Sequence, residues 1–257
     1  MDYITVNKNA WDKRTGVHVD SKFYDVAGFL AGQSSLPPID LQQVGEVAGK
    51  SLLHLQCHFG LDTLSWARLG AEVTGVDLSS EAINQAQVLA QKTKLSANFV
   101  NQDVYTFGKL NQQQFDIIYT SYGVLSWLPD LDAWAKTVAG ALKPGGQFNL
   151  IEFHAFNDLL SGYSYFPQSV PDVEDEGTYT ENCGGEKSTM MTWGHSLSEV
   201  IEALISVGIN IEGFREYPYS PYNCFADLEY VAGAGYQLLY KGQQVPLVYA
   251  IKGRKVG

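Results

Sequence analysis

At 257 residues the chain is long for one simple domain and short for two full ones, and its 45% hydrophobic and 12% aromatic content supports a sizeable core. A charged fraction of 18% argues against general disorder, and a formal charge of −11 argues against a phosphate-tracking surface, so nucleic acid is not the expected partner. Three cysteines (Cys57, Cys183, Cys224) lack metal-ligand spacing, and there is no basic-then-apolar leader and no apolar run of about 18 residues. The expectation is a soluble, cytoplasmic protein with no metal and no membrane partner.

Residues 1–48 are polar and aromatic by turns, with Trp11, Phe23, Tyr24 and Phe29 irregularly spaced, and they read as an N-terminal cap. Pro37-Pro38 marks a break. From Lys50 onward strands and helices alternate. The sequence predicts strands at 51–56, 72–76, 97–100, 115–120, 146–152, 209–216 and 246–252, and helices at 62–69, 80–92, 130–142 and 197–207. Ser79 or Ser80 caps the second of these helices, whose inner face carries Ile83, Ala86 and Ala90. Asp130 opens a stripe of Leu131, Trp134, Val138 and Leu142, and Pro144-Gly145-Gly146 stops it. Ser196-Leu-Ser-Glu199 has the capping-box pattern ahead of Val200, Leu204 and Val207. Such alternation implies a parallel sheet covered on both faces. Residues 155–195 interrupt it with an aromatic-rich stretch and the acidic run Asp172-Val-Glu-Asp-Glu176. A loop this long inside a compact domain implies an insertion with short elements of its own, placed after a strand's carboxyl end as a lid.

The most informative stretch is Leu52-Leu-His-Leu-Gln-Cys-His-Phe-Gly60, followed by a helix and by a second apolar run that ends in Asp77. Strand, Gly-containing loop, helix, strand and acid is the order of a nucleotide-binding βαβ unit. The Gly-x-Gly-x-x-Gly fingerprint is absent, because Gln56 and His58 stand where its first glycines belong. The unit therefore reads as nucleoside-binding and only weakly as NAD-binding.

The modified loop, Asp77, a further acid at Asp103, Phe115-Asp-Ile-Ile-Tyr119 and Leu142-Lys-Pro-Gly-Gly146, in that order, resemble class I S-adenosylmethionine-dependent methyltransferases. The resemblance is strong over residues 50–155 and looser over 196–257. It implies a Rossmann-like, seven-stranded, mostly parallel sheet with helices on both faces and an antiparallel last strand, all in a single domain. It implies S-adenosylmethionine as cofactor, S-adenosylhomocysteine as product and a small-molecule acceptor. It also implies that Gln56, Cys57, His58 and Gly60 receive the methionine end, and that Gly60 is needed so that backbone can approach the ligand. Thr63 then donates to the cofactor carboxylate, Asp77 takes the ribose hydroxyls with Leu78 beside it, Asp103 takes the adenine amino group with Val104 against the ring, and Ser121 touches cofactor and acceptor.

Cys57 reads as a filler rather than a nucleophile. Glu152 and His154 end the fifth strand facing the acceptor space, and His154 is the general-base candidate because its ordinary pKa is near 6.5. Trp11, Tyr24 and Trp193 are candidates for an aromatic lid favouring a sulfonium. An aminopropyl transferase would want an acid where Ser121 stands, and an NAD-dependent dehydrogenase would want the missing glycines. A non-catalytic binding subunit on the same fold is the remaining alternative.

Overall fold

The computed structural model describes residues 2–223 and 225–257, so Cys224 lies outside the described residues. A long helix, α1 (Tyr3–Val19), opens the chain under an Asp2 cap and is followed by α2 (Val26–Leu30) and α3 (Pro38–Val44). The alternating core is β1 (Ser51–Leu55), α4 (Leu61–Arg68), β2 (Glu72–Asp77), α5 (Ser80–Thr93), β3 (Ala97–Asn101), α6 (Val104–Leu110), β4 (Phe115–Ser121), α7 (Leu131–Ala141) and β5 (Leu142–Phe153). Beyond it lie α8 (Phe156–Leu160), a hairpin of β6 (Asp172–Glu176) and β7 (Ser188–Thr192), then α9 (Leu197–Ser206) and β8 (Ile209–Tyr217). Two small hairpins, β9 (Glu229–Val231) with β10 (Gly235–Gln237) and β11 (Leu239–Tyr240) with β12 (Gln243–Gln244), precede β13 (Val248–Lys255).

The main sheet runs β3-β2-β1-β4-β5-β13-β8. β13 is antiparallel to both neighbours, and the remaining six strands are parallel. Side-chain alternation divides the core between two faces. Leu53, Leu55, Ile118, Phe148, Leu150, Tyr249 and Ile251 pack with Phe107, Trp134, Val138 and Leu204 from α6, α7 and α9. Leu52, Ile117, Tyr119, Ile151, Val248 and Ala250 turn the other way, onto Ile39 and Val44 of α3 and Trp66 of α4.

The caps follow the sequence. Ser79 Oγ accepts from Ala82 N–H, Asp130 Oδ1 from Ala133 N–H, and Ser196 Oγ from Glu199 N–H. Glu199 does not complete a reciprocal box; its carboxylate turns to His195 Nδ1 at 2.9 Å. β5 starts at Leu142, earlier than the expected 146, because Leu142 already pairs with Phe115. The Lys-Pro-Gly-Gly segment is a register irregularity within that strand, and Gly145 takes φ +71° there.

The N-terminal cap is more regular than its composition indicates. α1 lies against β7 and α5 and buries Asn7, Arg14, Thr15 and His18 together with Ala10. The insertion carries α8 and the β6–β7 hairpin, and α1 holds that hairpin closely. Asn7 exchanges two hydrogen bonds with the backbone of Met191, Arg14 donates to Gly177 O, and Asn182 donates to Val17 O. No helix among the described residues is long and apolar enough to cross a membrane.

Candidate active site

The carboxyl ends of β1, β2, β4 and β5 open into a cavity of about 1030 Å³, roofed by α1 and the β6–β7 hairpin. A second, much smaller pocket adjoins it, and Gln56, Leu78 and Trp127 line both. Ligand sites in open α/β sheets form at this end of the strands.

The β1–α4 loop is the cavity's floor. Gln56 takes φ +56°, His58 φ +49° and Gly60 φ +79°. The two residues standing in place of the expected glycines therefore keep a left-handed backbone that glycine adopts without strain. Compensating contacts hold them there. Gln56 Nε2 donates to Val124 O at 2.8 Å, and His58 N–H donates to Asp77 Oδ2 at 2.7 Å. Gln56 Oε1 and His58 Nδ1 are buried without a hydrogen-bond partner among the described residues.

Asp77, ending β2, also accepts from Ser79 N–H through Oδ1 at 2.8 Å. Burial raises its carboxyl to about 6, against the lowering effect of those two N–H bonds. Asp103 lines the smaller pocket with Val104, and its Oδ1 caps α6 by accepting from Tyr105 and Thr106 N–H. Ser121, Cys57 and Leu78 line the large cavity. Burial, and then the Asp77 charge, push the Cys57 thiol well above its ordinary value, which suits a filler and not a nucleophile.

Three expectations are corrected. Thr63 does not reach the cavity: it is fully buried, with Oγ1 2.8 Å from His54 Nδ1 beneath the loop. Gly60 lines the cavity, but a Cβ on it would meet Phe99 ring carbons at 2.8 Å and Ala86 Cβ at 2.9 Å, so packing against β3 and α5 by itself demands glycine there. His154 is outside the cavity lining. Its Nδ1 accepts from Phe156 N–H at 3.1 Å and its Nε2 donates to Glu216 at 2.9 Å, which leaves no ring nitrogen for a substrate. Glu152 does line the cavity, but the backbone N–H groups of Gly123, Val124, Leu125 and Phe153 use both its oxygens.

Trp11, Tyr24 and Trp193 all border the cavity. Trp11 meets the His58 and Trp127 rings edge-on, each at 5.2 Å between centroids. From α1 comes a group that sequence reading missed. Arg14 is 8% exposed, and its guanidinium sits near the Trp11 and Trp127 rings. Among the described residues it donates one hydrogen bond, to Gly177 O, forms no ion pair, and leaves Nε without a partner. The available signal was an arginine one helical turn after Trp11, which meant little while the segment was read as irregular. The cavity is also lined by Tyr122, Phe153, Tyr222, Asp158 and His195. Burial pushes the Asp158 carboxyl up to about 6.

Comparisons with known proteins bear on the family and the fold. A family model described as a methyltransferase domain matches residues 53–148. The ubiquinone biosynthesis O-methyltransferase of Photorhabdus laumondii is 30% identical over 183 residues, which cover 68% of this chain and 74% of that protein. The chain belongs to the class I S-adenosylmethionine-dependent methyltransferases. The solved S-adenosylmethionine-dependent methyltransferase of Mesorhizobium loti shares the fold, with a TM-score of 0.59 at 21% identity over 88% of this chain and 100% of that one. A solved DhpI–SAH complex also shares it, with a TM-score of 0.60 at 16% identity over 99% and 97%. The methyltransferase takes S-adenosylmethionine as its cofactor.

Proposed function

We propose that this methyltransferase holds its cofactor across the ends of β1, β2 and β4 and transfers the methyl group to a small organic acceptor beneath the insertion. The observation that carries the reading is Arg14, a buried cation that forms no ion pair within 4 Å among the described residues and lines the same cavity as the β1 loop. A charge buried in this way is costly until an anion joins it, and the cofactor's carboxylate supplies one. The remaining parts follow in spatial order. Asp103 and Val104 take the adenine in the smaller pocket, with Leu78 between base and ribose. Each Asp77 oxygen, holding one backbone N–H, keeps a lone pair for a ribose hydroxyl. Gln56, Cys57, His58 and Ser121 line the path of the methionine chain.

The cofactor supplies an electrophilic methyl on a sulfonium. The protein's contribution is alignment and exclusion of water, which the α1 and β6–β7 roof provides. The space left for the acceptor is bounded by the rings of Tyr122, Phe153 and Tyr222, which fits a compact, partly apolar molecule. Where the acceptor must lose a proton, Asp158 replaces His154 as the group to receive it, because it lines the cavity and its pKa of about 6 lies near neutral pH. The O-methyl transfer in the name of the Photorhabdus relative makes phenols the first acceptors to screen.

The test is titration calorimetry with S-adenosylmethionine, S-adenosylhomocysteine and NAD in parallel, then S-adenosylhomocysteine release with phenol, carboxylate, amine and thiol panels. The expected result is binding of the first two ligands only and turnover with one acceptor class. Turnover on protein or nucleic acid, with none on the panels, would overturn the reading.

A further inference from the structure

Charge is unevenly spread along the β6–β7 hairpin. β6 carries Asp172, Glu174 and Glu176 at alternate positions, so the three share one face, and all three line the cavity. The hairpin register sets Asp172 opposite Thr192 and Glu176 opposite Ser188, and its two ends differ. The cations stand at the Glu176 end: Lys187 precedes Ser188, Arg14 donates to Gly177 O, and both charges act on Glu176. The Asp172 end faces Asp158 of α8 and His195, and Asp158 feels the charge of both Asp172 and His195. His195 is already committed, with Nδ1 2.9 Å from Glu199 Oε2 and Nε2 2.8 Å from Leu128 O. The cavity-lining Asp158 carboxylate, by contrast, accepts no hydrogen bond and forms no ion pair among the described residues.

A second free group comes from the sheet. Tyr249 of β13 is 2% exposed, with its ring stacked on Phe214 and edge-on to His154, each at 5.9 Å between centroids, and yet it lines the cavity. Its hydroxyl has no hydrogen-bond partner among the described residues and keeps accessible surface, unlike the orphaned Arg14 Nε and His58 Nδ1. Burial, and then the Glu152 and Asp158 charges, push its pKa well above the ordinary value, so the phenol stays protonated. Backbone N–H groups occupy Glu152, which leaves Asp158 and the Tyr249 oxygen as the free pair. We propose that the methyl acceptor is an aliphatic amine bound as its ammonium, which donates to the Asp158 carboxylate and the Tyr249 oxygen, with Asp172 as a second negative charge. The inference rests on the reading of this cavity as a methyl-transfer site, and it puts amines ahead of the phenols that the name of the Photorhabdus relative suggests. An ammonium is a donor without an acceptor, as this end of the cavity requires, whereas a carboxylate would be repelled there. The lining rings of Phe153, Tyr163 and Trp193 also suit a cation. In the reaction Asp158 takes one ammonium proton, and the freed nitrogen lone pair forms the new N–C bond. The methyl–sulfur bond breaks with its electron pair left on sulfur as a neutral thioether. The product leaves as the methylated ammonium, and Asp158 returns its proton to solvent.

The test uses the full chain loaded with S-adenosylhomocysteine, so that binding is read apart from chemistry. Calorimetry compares phenethylamine, 2-phenylethanol and phenylacetate, which share a ring and a short chain and differ in the charge of one end. Phenethylamine should bind about tenfold tighter than either of the others, or more, in the range of a hydrogen bond to a charged group. Asp158→Asn should weaken phenethylamine by about tenfold and leave 2-phenylethanol within about threefold of wild type. Tyr249→Phe, which removes only the hydroxyl, should weaken phenethylamine by about three- to tenfold. In both variants S-adenosylhomocysteine affinity should stay within about twofold of wild type, which reports an intact fold and cofactor site. Tyramine carries a phenol and an amine together, and with S-adenosylmethionine its product should bear the methyl on nitrogen by mass spectrometry. Tighter binding of the alcohol or the acid than the amine, binding of none of the three, or an equal loss on amine and alcohol in Asp158→Asn would overturn the proposal. So would methylation of tyramine at the phenol oxygen. A wild-type chain that does not bind S-adenosylhomocysteine would instead overturn the cofactor-site reading beneath it.

Discussion

Replacing Gly60 by alanine separates two explanations of the same residue. A glycine needed for ligand clearance would cost affinity when replaced and leave the fold alone. In this structure the added Cβ falls 2.8 Å from Phe99 Cε1 and Cζ and 2.9 Å from Ala86 Cβ, and the φ of +79° is strained for any side chain. A left-handed non-glycine residue costs about 1–2 kcal/mol, and overpacking of this kind costs about 1–3 kcal/mol. Gly60→Ala is therefore expected to lose about 2–5 kcal/mol of stability by urea denaturation with an unchanged slope. Phe99→Leu removes the clashing ring carbons but not Ala86, so the double variant should recover part of the loss relative to the sum of the single changes. Titration of the folded variant with S-adenosylhomocysteine should show a change several-fold at most. A Gly60→Ala protein as stable as wild type that has lost its ligand would refute the packing account.

Three further outcomes are expected. Asp77→Asn should weaken S-adenosylhomocysteine about 10- to 100-fold by calorimetry, since hydrogen bonds to a charged group contribute about 1.5–3 kcal/mol. Thr63→Val should leave ligand affinity unchanged and lower stability by about 1–3 kcal/mol in urea melts, because it strips the partner from buried His54 Nδ1. Asp40, a buried residue of α3 that accepts from the Tyr119 and Tyr122 hydroxyls, is raised to about 7 by burial and then by the Asp62 charge. Its pKa is higher folded than unfolded, so the folded state binds more protons between about pH 4 and 7 and stability from this group falls as pH rises through that window. Wild type should therefore lose stability relative to Asp40→Asn between those pH values, a difference that paired denaturation curves will read.

The sheet was legible because its strands are bounded apolar runs and its helices carry caps and stripes. Ser79, Asp130 and Ser196 cap the helices that their sequence positions predicted. α1 was not legible, for a physical reason. Its buried face is Asn7, Ala10, Arg14, Thr15 and His18, held by hydrogen bonds to the β6–β7 hairpin, and a hydrophobic periodicity cannot reveal a polar face. The same reason hid Arg14. α6 was missed because seven residues containing Gly108 carry little periodic signal. The two small hairpins between β8 and β13 were missed as well, their strands being only two or three residues long. In the site, the order of loop, Asp77 and Asp103 placed the cavity-lining residues. Position in sequence misled where a side chain turns inward, as at Thr63, or toward a neighbouring strand, as at His154.

The most direct test of the central claim is a crystal structure of the chain with S-adenosylhomocysteine. The account predicts adenine beside Asp103 and Val104, the ribose on Asp77, and the homocysteine carboxylate on Arg14. A nucleoside bound elsewhere, or with its amino-acid end directed away from Arg14 and the β1 loop, would contradict it.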